Sequence, residues 1–257
     1  MLQIDMKGKV ALITGVSSGI GAGIALEMAR AGAVISGCDV GEADSAFVQE
    51  IEQLGSRALY TQCDVARPEE LQDLVNGTIA RLGRIDVLVS NAGANIFKGA
   101  SAAKEKDWQR NLDINLSAHW RLAQFSRPYL EKNKGVIIII SSNHAFSTIP
   151  GCFPYNVAKT ALTGLVRSLA IEWGPAIRTV GIAPGFIDTH GNQQWFESFE
   201  DPYVERQRTI ELHPVKKLGT VEEIGGWCVF LSSAYAAFAT GTTYLIDGGR
   251  SALMQDQ

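Results

Sequence analysis

Seven short apolar runs, most of them separated by longer stretches of helical character, set the frame for this chain. The runs are Val10–Thr14, Ala33–Cys38, Ala58–Gln62, Val87–Ser90, Val136–Ser141, Thr179–Ala183 and Thr242–Ile246. They are continuously hydrophobic, not alternating, so each predicts a strand buried on both faces, as in a parallel sheet covered by helices. The intervening stretches predict helices over Ile20–Ala31, Ala43–Leu54, Pro68–Leu82, Lys104–Leu130, Tyr155–Trp173 and Val221–Leu231. Strand–helix alternation builds right-handed βαβ units and a doubly wound α/β architecture. No repeat, low-complexity tract or linker divides the chain, so residues 1–257 read as one domain. Residues 188–215 break the rhythm. They hold no apolar run, and Trp195, Phe196, Phe199 and Tyr203 stand among charges. A long segment directly after strand six predicts a substrate lid, because ligands of such sheets sit beyond the carboxyl ends of the strands.

Bulk properties remove whole classes of function. A net charge of −4 and a pI near 5.6 give no electrostatic case for nucleic acid or an anionic membrane. The longest aliphatic run, Val136–Ile140, is far short of the ~20 residues a membrane-spanning helix needs. Met1–Val10 lacks the apolar stretch of a signal peptide, which predicts a cytoplasmic address. Cys38, Cys63, Cys152 and Cys228 lack metal-ligand or redox spacing and read as reduced, small apolar residues. His119, His144, His190 and His213 lack metalloenzyme spacing, so no catalytic metal is expected.

Two motifs carry chemistry. The turn Thr14-Gly15-Val16-Ser17-Ser18-Gly19-Ile20-Gly21 ends the first strand and opens a helix. Its glycines let backbone approach a pyrophosphate, whose charge the helix N-terminus faces. Asp39, at the end of the second strand, suits the ribose hydroxyls of an adenosine and would repel a 2′-phosphate. No Lys or Arg lies between Ala31 and Arg57, so the expected cofactor is NAD and not NADP. Asp64 and Val65 suit the adenine edge, and Asn91-Ala92-Gly93 a backbone pass beneath the cofactor. The second motif is Tyr155 with Lys159. Four apart on a helix, they share a face, and an ammonium beside a phenol lowers its pKa. Titration near neutrality would need a shift of about 3 units, roughly 4 kcal/mol, to which a cationic nicotinamide would add. A proton acid/base beside a dinucleotide is what alcohol–ketone hydride transfer requires.

With these motifs in this order, joined by Asn115, Ser142, Pro184-Gly185 and Asp247-Gly248-Gly249, the chain resembles the short-chain dehydrogenase/reductase family over essentially its whole length. The resemblance implies a Rossmann-like seven-stranded sheet and a homotetramer or dimer. It implies Tyr155 as acid/base, Lys159 lowering its pKa and holding the nicotinamide ribose, Ser142 orienting the substrate oxygen, and Asn115 supporting a relay water. Pro184, Gly185, Ile187 and Thr189 match the family's nicotinamide-binding turn. Ser90 stands in place of the first asparagine of the family's usual Asn-Asn-Ala-Gly, touching sheet hydrogen bonding, and Ala145-Phe146 follow Ser142 where a glycine is common.

For the substrate, polar residues flank the site. Asn95, Asn143 and His144, then His190, Asn192, Gln193 and Gln194 beside Trp195 and Phe196, suit a polyhydroxylated ligand, a sugar or polyol. Asn95, Ser142, His144, Tyr155, His190 and Trp195 are the expected substrate contacts. The segment loosely resembles that of the family's sugar dehydrogenases. Arg206, Arg208, Lys216 and Lys217 would serve an acidic sugar, or form a solvated mixed-charge face with Glu205 and Glu211. The alternatives are a 3-oxoacyl thioester reductase and a non-catalytic dinucleotide-binding regulator.

Overall fold

The computed structural model describes residues 4–42 and 45–253. Seven parallel strands, β1 (Val10–Thr14), β2 (Val34–Asp39), β3 (Ala58–Gln62), β4 (Val87–Ser90), β5 (Val136–Ile140), β6 (Arg178–Pro184) and β7 (Thr243–Ile246), form one sheet in the order β3-β2-β1-β4-β5-β6-β7. The order reverses between β1 and β4, which opens a crevice at their carboxyl ends.

Helices cover both faces. They are α1 (Gly19–Arg30), α2 (Ser45–Gln53), α3 (Pro68–Leu82), α4 (Glu105–Leu112), α5 (Ala118–Asn133), α6 (Tyr155–Trp173), α7 (His190–Glu197), α8 (Pro202–Glu211) and α9 (Val221–Leu231). Strand β5 shows why its run is unbroken. Val136, Ile138 and Ile140 join a core with Ile24 and Met28 of α1 and Ile224 and Cys228 of α9. Ile137 and Ile139 join the opposite core with Leu74 of α3, Leu122 of α5 and Leu162 of α6. Alternate side chains point to opposite faces, and both faces are dry.

Three details differ from the sequence reading. The helix expected over Lys104–Leu130 is α4 and α5 joined through a π-helical turn, Asp113–Ser117, and it runs on to Asn133. The segment after β6 folds as α7 and α8, each entered through a side-chain cap: Thr189 accepts from the Asn192 amide and Asp201 from the Val204 amide. Ser90 does its distinctive bonding outside the sheet: its hydroxyl meets Nδ1 of the buried His119 at 2.7 Å, tying β4 to α5. Ala43, where the second helix was expected to begin, lies outside the described residues.

Candidate active site

The crevice begins at the glycine turn. Backbone amides of Gly15 and Val16 donate to the Cys38 carbonyl at 2.7 and 3.2 Å, fixing the turn against β2. Asn91, expected in a backbone pass beneath the cofactor, braces the turn with its side chain. Its Nδ2 donates to the carbonyls of Thr14 (2.8 Å) and Gly15 (3.3 Å), while the Thr14 hydroxyl accepts from the amides of Asn91 and Ala92. A Cβ on Gly21 would overlap the Gly15 carbonyl oxygen, and Gly15 itself has φ +76°. Only glycine allows α1 to start so close to β1. Ser18 at the head of α1 makes no side-chain cap bond, and no acidic residue occupies the first turn. The amides there are left to an anion, so the cradle fits a dinucleotide pyrophosphate.

The carboxylate of Asp39 accepts from the Ser17 amide at 3.1 Å and from the Val40 amide at 2.8 Å. It is therefore fixed at the edge of the glycine turn. Asp64 accepts from the Ala66 amide at 3.0 Å, and Val65 beside it is half-buried. Cys38 and Cys63, remote in sequence, are buried and hydrogen-bonded to each other. Hydrogen bonding to Cys63 and burial push the Cys38 thiol well above its usual range, which keeps it protonated.

At the other end, Tyr155 and Lys159 open α6, 9% and 3% exposed. Lys159 Nζ donates to the Ile140 carbonyl at 3.1 Å and lies 5.6 Å from the Tyr155 ring centre. Burial lowers Lys159 to about 8. Burial raises Tyr155 to about 12, opposed by the Ser142 hydroxyl acting as its hydrogen-bond partner. This corrects the expectation that Lys159 lowers the phenol: burial sets the direction of the shift, and the opposing effect comes from Ser142. The Ser142 hydroxyl itself accepts from the His144 amide at 3.2 Å.

Asn115 sits in the π-helical turn, fully buried. Its Oδ1 accepts from the Ala94 amide (3.0 Å), and its Nδ2 donates to the Ala94 carbonyl and to Asn111 Oδ1, both at 2.9 Å. Asn111 in turn donates to the Pro154 carbonyl, next to Tyr155, at 2.9 Å. Asn111 was not singled out in the sequence, although its i,i+4 spacing to Asn115 was visible. A Cβ on Gly93 would come within 2.9 Å of Asn115 Oδ1 and 3.3 Å of Lys159 Nζ, so Gly93 makes room for both.

Pro184 ends β6, Ile187 is 3% exposed, and Thr189 brings its methyl to 3.5 Å from a Cβ built on Gly19. The turn 184–189 thus faces the glycine turn. A Cβ on Gly185 would lie 2.6 Å from that of Asp247, which packs the last motif against this turn.

The substrate expectations fare unevenly. His144 stands beside Tyr155, ring centres 6.1 Å apart, and bonds Thr148 through Nδ1 at 3.0 Å; burial lowers its pKa. Phe97, which no sequence signal marked, is closer still: its ring meets Tyr155 edge to face at 5.2 Å. Asn95 is exposed. The polar residues of α7 bond within their own segment. Asn192 donates to the Ile187 carbonyl (2.7 Å), Gln193 to Asp188 (3.5 Å), and Gln194 meets His190 at 3.0 Å. His190, expected as a substrate contact, is exposed and has Gln194 as its neighbour. Trp195 packs on Phe186, Phe196 and Phe199. The four basic side chains considered for an acidic sugar are ion-paired within the chain: Arg206 with Asp188, Arg208 with Glu205, Lys216 with Glu211 and Lys217 with Glu223.

Among the described residues, no group of three or more His, Cys, Asp or Glu could hold a metal ion, and no helix is long and apolar enough to cross a membrane.

A family model described as Enoyl-(Acyl carrier protein) reductase matches residues 15–251. The 7alpha-hydroxysteroid dehydrogenase of Escherichia coli (strain K12) is 35% identical over 251 residues, 96% of each chain. A solved 7 alpha-hydroxysteroid dehydrogenase, complexed with NADH and 7-oxo glycochenodeoxycholic acid, matches with a TM-score of 0.88 at 34% identity over 96% of both chains. Dehydrogenase/reductase SDR family member 4 of Homo sapiens is 37% identical over 250 residues, 95% of this chain and 88% of the relative. The ligand-free aldohexose dehydrogenase of Thermoplasma acidophilum matches with a TM-score of 0.89 at 26% identity, over 98% of this chain and 97% of that one.

Proposed function

Since the chain belongs to the short-chain dehydrogenase/reductase family and is an oxidoreductase acting on CH–OH groups, we propose that it is an NAD-dependent dehydrogenase of a secondary alcohol with Tyr155 as its acid/base. The observation that carries this reading is the meeting of Ser142, Tyr155 and Lys159 at one end of a crevice whose other end holds Asp39. When bound between the glycine turn and the 184–189 turn, NAD would supply the hydride acceptor for the carbinol carbon. Ser142 and Tyr155 bracket the substrate oxygen, and Tyr155 exchanges its proton. Lys159 stabilises the phenolate as it forms and holds the nicotinamide ribose. Asn115, braced by Asn111, fixes the Ala94 backbone, and its proposed role is to support a relay water.

NAD is favoured over NADP because the Asp39 carboxylate is fixed beside the turn and would face a 2′-phosphate directly. Asp39→Ala is expected to weaken NAD at least about tenfold, the loss of charged hydrogen bonds to ribose, while NADP binding holds or improves. Titration of both cofactors against wild type and variant checks this. Equal loss for both would contradict the assignment.

For the substrate, the rings of Phe97 and His144 around Tyr155 support an alcohol on a rigid framework with an apolar face. The solved relative bound to a 7-oxo bile acid has that chemistry. A sugar is the second reading, supported by exposed Asn95, by His144 and by the aldohexose dehydrogenase neighbour. Assaying fused-ring secondary alcohols, aldoses and polyols with NAD separates them. Faster turnover of ring alcohols is expected. Turnover of aldoses alone would reverse the order, and activity confined to 3-oxoacyl thioesters with NADPH would overturn both. A homotetramer or dimer is supported by apolar side chains left open on α5 and α6, among them Trp120 and Ile171, 45% and 80% exposed.

A further inference from the structure

We infer that Arg206 is a positioning residue, whose ion pair with Asp188 docks the lid helices α7 and α8 onto the turn that holds the nicotinamide; this rests on the dehydrogenase reading above. Asp188 lies between Ile187 and Thr189 and is fixed on three sides. Its amide donates to the Gly219 carbonyl at 2.8 Å. Its Oδ1 accepts from Arg206 Nη1 at 3.0 Å and from Gln193 of α7 at 3.5 Å, and its Oδ2 accepts from Arg206 Nη2.

Arg206 comes from the middle of α8, eighteen residues on. Its guanidinium also lies 5.6 Å over the ring of Phe196, a residue of α7 that is only 3% exposed. One planar group therefore touches the turn, α7 and α8 together. A two-pronged fork also resists rotation, which a lysine's single ammonium would not. The other cations of this region pair differently. Arg208 pairs one turn back on its own helix, and Lys216 pairs with Glu211 nearby. Neither reaches the turn.

The start of α7 leans on the same turn, since Thr189 caps it and Asn192 donates to the Ile187 carbonyl. Thr189 in turn borders Gly19. Releasing Arg206 would thus loosen the lid helices over the nicotinamide end of the crevice, while the turn itself stays held by backbone bonds of Asp188 and Phe186 to Gly219. The adenosine end at Asp39, held by Ser17 and Val40, would be untouched.

The test compares wild type, Arg206→Gln and the charge swap Asp188→Arg/Arg206→Asp by hydrogen exchange of amides 190–211, by kcat and KM for the alcohol, and by NAD affinity. Arg206→Gln is expected to speed exchange and raise KM, each about tenfold, with NAD affinity changed less than about twofold; the swap recovers part of both losses. Unchanged exchange in Arg206→Gln overturns the inference, as does a swap no better than the single variant, or NAD affinity falling in step with KM. The exchange reading does not depend on turnover. An inactive wild type would contradict the dehydrogenase reading, and unchanged exchange would contradict this one.

Discussion

Tyr155→Phe is expected to lower turnover by about 10²- to 10⁴-fold, the usual contribution of a positioned acid/base, while NAD still binds. The variant keeps the ring that packs edge-on against Phe97 and removes only the hydroxyl. Ser142 loses its phenol partner but still accepts from the His144 amide, so the fold should change by no more than about 1 kcal/mol. The wild-type pH dependence follows from burial. With the phenol held near 12, the protonated form dominates at neutral pH and can donate to a ketone. Oxidation of the alcohol needs the phenolate, so its rate should rise with pH, and the reverse reduction should weaken as pH rises. Initial rates in both directions across pH, together with NAD titration of the variant, check both statements. Turnover retained in Tyr155→Phe would remove Tyr155 from the chemistry, and a biological effect that survives the loss of turnover would favour a non-catalytic dinucleotide-binding regulator.

Lys159→Met should also abolish most turnover, and it should make the protein more stable at neutral pH. Burial lowers Lys159 to about 8 from a reference of 10.5. Between those values the unfolded chain binds more protons than the folded one, so stability rises with pH across that window. Below pH 8 the folded state carries the whole cost of burying the ammonium, about 3 kcal/mol. Methionine removes that cost but leaves the Ile140 carbonyl without its donor, a loss of about 1 kcal/mol. The net gain is about 2 kcal/mol at pH 7, fading as pH approaches 10.5. Thermal unfolding of both proteins at several pH values measures it. A variant less stable than wild type at pH 7 would mean that the ammonium stabilises the fold. The expected result makes Lys159 a residue held in place at the expense of stability.

The strands were legible because a parallel sheet wets neither face, so β5 shows five consecutive aliphatic residues and not an alternation. The placement of the candidate residues was legible because turns and helix starts confine them to fixed spacings, as with Gly15 to Gly21 and Tyr155 to Lys159. Other parts depend on contacts between remote segments. Phe97 reaches Tyr155 because residue 97 bridges backbone to backbone with Pro154. Arg206 read as a surface cation until the fold brought Asp188 beside it. The amides of α7 looked like ligand groups, yet Asn192 holds the Ile187 carbonyl. A polar side chain in sequence does not reveal whether its partner is a substrate or a neighbouring carbonyl. The π-helical turn is likewise invisible to a 3.6-residue period, although it presents Asn115 to Ala94.

In the proposed reaction a hydride leaves a carbinol carbon for NAD in the Tyr155 site. The direct measurement uses the fastest alcohol from the substrate panel, deuterated at that carbon, and follows the label with wild type and Tyr155→Phe. Deuterium recovered on the nicotinamide ring of the reduced cofactor, formed by wild type and nearly absent with the variant, is the predicted result. Alcohol consumed without label reaching the cofactor, or label transferred equally well by Tyr155→Phe, would contradict it.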